Sequence, residues 1–233
     1  MKKLLLATTA AVLMTGSIAA SAVEFSGNVA LTTDYKFRGI SQSDGPAIQG
    51  GFDLGTDSGF YASVWGSSID FGSGLELDYI AGYATDLTDN VAIDVGYIYY
   101  DYPNWDADDG AIKGDLQEVY GAVSFYGVGL GIAYSNDYYQ ETGKSLYYSA
   151  SYEYAFNDIW GVSVAANYTD FDENTFWGTD EKASYSDWKV AVTAAFMDLD
   201  FELAYVDTDV DEAQCFESDL CNGSAILSVS KSL

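Results

Sequence analysis

The chain has 233 residues, of which 36 are Asp or Glu and only nine are Lys or Arg, so its formal net charge is −27. Nucleic acids need Lys and Arg to displace their counterions, so this charge excludes them as partners. The absence of His removes the usual general base of hydrolases, and 20 Tyr, 12 Phe and five Trp exclude a disordered chain, because disordered sequences are poor in aromatic residues.

The first 22 residues predict a secretory signal peptide. Two lysines are followed by an apolar run from Leu4 to Met14 and by the small residues Ala20 to Ala22, the order of charged start, hydrophobic segment and cleavage site. The run is too short to span a bilayer as a helix. The alternative, an uncleaved anchor, has no longer hydrophobic segment after it. We therefore expect a mature chain of residues 23–233.

The mature chain opens with a segment that alternates residue by residue. Its odd positions from Phe25 to Phe37 are mostly apolar or aromatic, and its even positions from Ser26 to Arg38 are small, polar or charged. Successive side chains of a strand point to opposite faces. The pattern predicts one strand that continues to Arg38, with an apolar face and a wet face.

The same alternation recurs along the whole mature chain. Twelve segments begin near residues 25, 47, 60, 75, 90, 116, 127, 145, 159, 187, 198 and 223. Most reach the length of about 9–11 residues that a tilted strand needs to cross the hydrocarbon. An even number of strands puts both termini on the periplasmic side. The segments near 60 and 116 are the least regular, so 10 or 14 strands are the alternatives.

The links between segments alternate in length. Tight links lie at residues 55–58, 85–90, 125–126, 157–158 and 197–198, and longer acidic or Gly-rich links lie at residues 39–46, 101–115, 136–144, 170–186 and 207–222. Residues 72–74 form the one short link on the long side. Short periplasmic turns and longer extracellular loops are typical of an outer-membrane barrel.

The composition of the two faces predicts which one is wet. The polar face is rich in Gly, Ser and Ala with scattered carboxylates, which suits a hydrated lumen, and the apolar face carries Leu and Val in mid-strand with aromatic residues near the ends. Predicted outer-rim aromatics are Tyr35, Phe37, Tyr97, Tyr99, Tyr134, Tyr168, Trp188 and Tyr205. Predicted inner-rim aromatics are Phe25, Phe60, Tyr83, Tyr154, Trp160 and Phe196. Two such belts suit the two membrane interfaces; the alternative is the core of a secreted sandwich.

We therefore predict an all-β fold, an antiparallel transmembrane β-barrel of about 12 strands in the bacterial outer membrane. Its surroundings would be outer-membrane lipid and lipopolysaccharide. The last strand, Gly223 to Leu233, ends with Leu227, Val229 and Leu233 on one face. This resembles the signal read by the barrel-assembly machinery, which we expect as a partner; the sequence leaves a homo-oligomer open.

Part of the chain resembles a known family. Residues 32–52 read TTDYKFRGISQSDGPAIQGGF, residues 59–67 read GFYASVWGS, and the closing residues 230–232 read SKS. These stretches resemble the TorF family of porins. The resemblance implies an outer-membrane porin, and it carries over no functional residues.

A channel for passive diffusion of small solutes or ions is the predicted function. The alternatives are a non-conducting barrel that acts as a structural anchor or adhesin, since 12 strands lie between filled and open barrels, and a barrel hydrolase that works without His. We predict no catalytic residue, because no spacing points to a nucleophile with its base, and no cofactor.

Wall charge predicts weak cation selectivity. The candidate pore-lining residues are Asp34, Lys36, Arg38, Asp53, Glu76, Asp78, Asp94, Glu118, Glu153, Asp187, Lys189, Asp200 and Glu202. The alternative is that these side chains only keep the inner wall hydrated and form no specific site. Arg38, the single Arg of the chain, would either form a constriction or gate with acidic loop residues or only pin the first loop.

The two cysteines, Cys215 and Cys221, predict a small loop disulfide in an exported protein, with a metal pair as the alternative. Just before them, Asp207, Asp209 and Asp211 alternate in a way that Ca²⁺ could use. The Gly and Glu of a calcium loop are not at their positions, so a solvated loop is preferred and no metal site is predicted.

Overall fold

The computed structural model describes residues 23–72, 74–103, 105, 114–172, 184–215 and 218–233. The predicted signal peptide, residues 1–22, lies outside the described residues. So do parts of the predicted loops at residues 101–115, 170–186 and 207–222.

The described residues form a closed barrel of 12 antiparallel strands. The barrel strands are β1 Val23–Thr32, β4 Ala47–Thr56, β5 Phe60–Ser68, β6 Leu75–Thr88, β7 Val91–Asp101, β8 Leu116–Phe125, β9 Val128–Ser135, β10 Ser145–Ala155, β11 Trp160–Phe171, β12 Ser184–Phe196, β13 Leu199–Thr208 and β14 Ser224–Ser232. Each pairs with its neighbours in sequence, and β1 pairs with both β4 and β14, which closes the ring. The predicted count of 12 is confirmed.

A two-stranded hairpin and one 3₁₀ turn complete the secondary structure of the described residues. Strands β2 Lys36–Phe37 and β3 Ile40–Ser41 pair with each other alone, and a single 3₁₀ turn covers Tyr139–Glu141. No helix in the described part of the chain is long and apolar enough to span a membrane.

The alternation of the sequence becomes an apolar exterior and a hydrophilic interior. On β6, Tyr79 points outward and is 43% exposed, whereas its neighbours Asp78 and Ile80 point inward and are buried. Outward side chains such as Val190 and Leu203 are more than half exposed. A contiguous apolar surface of this size needs a partner other than water, and lipid is the partner that a closed barrel without strand edges can face.

The short turns lie at one rim and the long loops at the other. Tyr126 and Gly127, which join β8 to β9, both have positive φ, and so do Met197 and Asp198, which join β12 to β13. Two-residue turns with φ positive at both positions match the twist of hairpin strands. Both described ends, Val23 and the C-terminus, lie at this rim, as predicted for an even strand count.

The prediction for the first strand is wrong beyond Thr32. β1 ends there, although the alternation continues to Arg38, and residues 33–46 turn into the barrel. Tyr35 and Phe37 therefore do not face lipid at the outer rim: Tyr35 is 6% exposed, and Phe37 packs on Tyr100 inside the barrel with ring centroids 5.6 Å apart. The segment leaves the wall because it finds hydrogen-bond and ring partners on inward faces of distant strands.

Candidate functional site

The first long loop, residues 33–46, is folded into the barrel, and we call it the plug loop. Its strands β2 and β3 are joined by Arg38 and Gly39, whose φ angles are +50° and +82°. Asp34 steadies the hairpin by accepting a hydrogen bond from Ser41 Oγ (2.6 Å). Gly39 is required at the tip, because a Cβ there would lie 2.8 Å from Cβ of Asp187 on β12, closer than real Cβ atoms approach.

Hydrogen bonds brace the plug loop against several parts of the barrel. Tyr35 Oη donates to Glu76 Oε1 on β6 (2.7 Å). The backbone N–H of Ser41 donates to Leu220 O (2.9 Å), and the carbonyl of Gln42 accepts from Asp70 N (2.8 Å). The loop is therefore tied both to the wall and to two other extracellular loops.

The tip of the plug loop ends in a buried ion pair. Arg38 Nη2 lies 2.7 Å from both Oε1 and Oε2 of Glu118, and the two side chains are only 5% and 2% exposed. Glu118 stands on β8, five places around the ring from β1, so Arg38 reaches across the lumen. Tyr100 Oη also donates to Glu118, at 3.2 Å from Oε2.

Aromatic rings surround the guanidinium of Arg38. Its Cζ lies 4.0 Å from the ring centroid of Tyr147, 4.8 Å from that of Phe37 and 5.9 Å from that of Tyr138. Ring faces attract cations at such distances. Burial is the largest single influence and opposes the charge of Arg38, but the carboxylate of Glu118 and the three neighbouring tyrosines together outweigh it, so the pKa of the guanidinium is raised well above its ordinary value. Arg38 is therefore a cation at every working pH.

A hydrophobic layer fills the extracellular mouth around the plug loop. Buried side chains from several loops meet there, including Ile40, Ile69, Tyr102, Tyr138 and Val210. The predicted disulfide between Cys215 and Cys221 is confirmed and belongs to the same layer. Among the described residues, the mouth is packed rather than open.

Two tyrosines face each other in the periplasmic half of the lumen. Tyr61, Gly82, Gly96 and Tyr120 stand in one lateral row across β5, β6, β7 and β8. The glycines leave room for the tyrosine side chains, whose hydroxyls hydrogen-bond each other. Tyr61 Oη also donates to Asp94 Oδ1 (2.7 Å).

The sequence-predicted site residues fall into two groups. Asp34, Lys36 and Arg38 lie in the plug loop instead of on the wall of a strand, because β1 ends at Thr32. The others lie on inward faces of barrel strands, namely Asp53, Glu76, Asp78, Asp94, Glu118, Glu153, Asp187, Lys189, Asp200 and Glu202.

Several wall charges are already paired. Lys189 Nζ contacts Glu202 Oε1 at 2.6 Å, and Asp53 Oδ1 accepts from Ser63 Oγ at 2.6 Å. Asp78 Oδ1 and Asp187 Oδ2 are buried and have no hydrogen-bond partner among the described residues. They stand on β6 and β12, on opposite sides of the ring.

Within the part of the chain that the structure describes, the acidic residues are not arranged as a metal centre. In the described ranges, no group of three or more Cys, Asp or Glu side chains is placed to hold a metal ion. In the predicted Asp207–Asp211 run, Asp209 Oδ1 accepts from Ser186 N at 2.8 Å, a contact to backbone that ties the loop to β12.

Sequence reasoning missed the aromatic residues of the lumen. Tyr61, Tyr100, Tyr138 and Tyr147 contact charged residues inside the barrel, and Tyr120 contacts the hydroxyl of Tyr61. Tyr147 could have been found from the sequence, because it alternates with serines on the polar face of its segment. An aromatic residue on that face predicts a contact inside the barrel.

The comparisons with known proteins agree with this fold. Residues 17–233 match the family described as "Bacterial protein of unknown function (Gcw_chp)". The chain belongs to this Gcw_chp family. No curated protein matches it in sequence.

Solved structures of porins resemble this Gcw_chp barrel. The NanC porin matches with a TM-score of 0.54 at 11% identity, covering 90% of this chain and 98% of the other. The KdgM porin matches with a TM-score of 0.55 at 9% identity, covering 89% and 97%, and KdgM in complex with disordered oligogalacturonate matches with 0.54 at 9%, covering 90% and 99%. At such identities the likeness is one of fold, which is that of an outer-membrane barrel.

Proposed function

We propose that the protein is an outer-membrane channel for the passive diffusion of small solutes or ions, narrowed at its extracellular end by the plug loop. One observation carries the proposal: a closed barrel has an apolar exterior and a hydrophilic inner wall of Ser, Gly, Ala and carboxylates. Such a wall suits water, which a core of packed side chains excludes. The porin fold of the structural neighbours and the TorF-like residues 32–52 support the same function.

The charges of the wall support weak cation selectivity. Arg38 is paired with Glu118 and Lys189 with Glu202, so the charges of these two basic side chains are each balanced by a neighbouring carboxylate. Asp78, Asp94 and Asp187 have no basic partner within ion-pair distance among the described residues. Rings of carboxylates favour cations in a pore, and an acidic sugar of the oligogalacturonate type would be repelled by this wall.

A second function, a non-conducting barrel that serves as an anchor or adhesin, is favoured by the packed mouth. The hydrophobic layer, which includes Ile40, Ile69 and Tyr102, packs around the plug loop from several sides. In this alternative the loop never moves, and the hydrophilic wall below it only lines a closed vestibule.

Planar-bilayer recording separates the two functions. We expect the refolded wild-type barrel to show discrete conductance steps, and a salt gradient to give a reversal potential of cation-selective sign. An anion-selective sign would overturn the selectivity. If neither the wild type nor an Arg38→Ala variant conducts, although heat-modifiable electrophoresis shows that both are folded, the channel is overturned in favour of a non-conducting barrel.

The export route belongs to the same proposal. We infer that residues 1–22 are removed during export and that the barrel-assembly machinery inserts the mature chain. Intact-mass analysis of protein from outer membranes should give a chain that begins at Val23. A mass that includes residues 1–22 would contradict cleavage.

A further inference from the structure

We propose that Glu118 and the tyrosines around it form a binding site for a small organic cation with a guanidinium group, which Arg38 occupies as an internal ligand. The inference rests on the proposed function and deepens it, because it names the class of solute that the channel would admit. The seated guanidinium of Arg38 itself shows that the site accepts this chemistry.

The parts of the site that belong to the barrel wall would stay when the plug loop leaves. Glu118 is on β8, Tyr100 on β7 and Tyr147 on β10. Tyr138 follows β9, at the mouth. Of the three described rings near Arg38, Phe37 alone belongs to the plug loop. Without the plug loop, the wall therefore offers a carboxylate with a hydrogen bond from Tyr100 and the ring of Tyr147, and the β9–β10 loop adds the ring of Tyr138.

The geometry selects a guanidinium over an inorganic cation. One nitrogen of Arg38 bridges both oxygens of Glu118 at 2.7 Å, while Cζ of the guanidinium lies over the Tyr147 ring, 4.0 Å from its centroid. A planar cation can satisfy the carboxylate at its edge and stack on the ring with its face. Na⁺ and K⁺ are compact, strongly hydrated ions that offer the ring no such face.

The charge of Glu118 couples the ligand to the plug loop. If the loop withdraws alone, Glu118 loses its cation and both hydrogen bonds from Arg38, and this loss opposes the movement. A guanidinium solute that takes the place of Arg38 removes this penalty. The solute is therefore expected to favour the displaced loop and to compete with Arg38 for one position.

Binding to an Arg38→Ala variant tests the site directly. Calorimetric titration of the folded variant in detergent with methylguanidinium chloride should show one site per barrel and an affinity at least tenfold higher than that of the wild type. The matched titrant is NaCl at equal ionic strength, and the matched protein is the double variant Arg38→Ala with Glu118→Gln, which should not bind. No binding to Arg38→Ala, or equal binding to the double variant, would overturn the site.

Trypsin provides a second measurement on the wild-type barrel, which does not depend on how the variants fold. Arg38 is buried and the plug loop is packed, so cleavage after Arg38 should be slow. Millimolar methylguanidinium should accelerate this cleavage several-fold, and equal NaCl should not. An unchanged rate at saturating methylguanidinium would contradict displacement. Neither measurement uses current, so a barrel that binds the cation and never conducts would overturn the channel and keep the site.

Discussion

The hydroxyl of Tyr61 on β5 hydrogen-bonds the hydroxyl of Tyr120 on β8 across two intervening strands. This contact exists because the residues between them in the lateral row, Gly82 and Gly96, have no side chains. A Cβ on Gly96 would lie 2.9 Å from Cε1 of Tyr120. The pair ties four neighbouring strands together on the inside of the barrel and narrows the lumen below the plug loop.

We predict that Gly82→Ala destabilises the barrel by about 1–3 kcal/mol, the usual cost of extra volume in a packed position. The new Cβ would lie 2.8 Å from the backbone oxygen of Val95 and against the Tyr61 hydroxyl, so the backbone has to shift as well as the ring. The measurement is urea unfolding followed by heat-modifiable electrophoresis. Gly121→Ala is the matched control, because its nearest neighbour would be 3.8 Å away. Equal stability of the two variants would contradict the prediction.

The strands were predictable from sequence because the alternation is a local property. Tyr79, between Asp78 and Ile80, already indicates which side faces lipid once one face is known to be wet. The contact between Tyr61 and Tyr120 was not predictable, because it depends on the register of three strand pairs, and register is fixed by the closed ring.

In the plug loop, the alternation of apolar and polar residues no longer predicts which side chains face lipid. Tyr35 and Phe37 continue the period of β1, so the sequence alone predicts two more lipid-facing residues. Their partners, Glu76 and Tyr100, are far away in sequence and give no local signal. The pairing of Arg38 with an acidic residue was among the alternatives, but its partner is Glu118 on the opposite wall instead of an acidic loop residue.

We predict that Arg38→Ala and Glu118→Gln each destabilise the barrel by about 3–5 kcal/mol, the cost of removing one partner of a buried ion pair. The double variant should lose less stability than the sum of the two single losses. Each single variant leaves one buried charge without its partner, whereas the double variant leaves none. Urea unfolding of the four proteins gives the double-mutant cycle.

An exposed ion pair of the same protein provides the control for that cycle. Lys144 Nζ lies 3.2 Å from Asp172 Oδ2, and both side chains are about 60% exposed (59% and 60%). Lys144→Ala should change the free energy of unfolding by only about 0–1 kcal/mol. If the buried and exposed pairs gave the same loss, Arg38 would not be held in a low-dielectric site.

We predict that the disulfide between Cys215 and Cys221 stabilises the plug loop in its position inside the barrel. Ser41 N donates to Leu220 O, and Thr208 Oγ1 donates to Cys221 O (3.0 Å), so the loop closed by the disulfide touches both the plug loop and β13. Cys215→Ser with Cys221→Ser should cost about 2 kcal/mol, the value for closing so short a loop. It should also raise the open probability in bilayer recordings. An open probability equal to that of the oxidised wild type would show that the plug loop is held without the disulfide.

The last prediction concerns two charges of opposite sign in the lumen. Asp94→Asn removes a carboxylate next to the tyrosine pair, and Lys189→Gln leaves Glu202 without its cation. Because wall charge sets ion preference, the first change should move the reversal potential in a salt gradient toward zero and the second should move it away from zero. The control is Asp172→Asn, a change at an exposed loop residue, which should leave the reversal potential equal to that of the wild type within experimental error. Shifts of the same sign for Asp94→Asn and Lys189→Gln would mean that the selectivity is set elsewhere than in this wall.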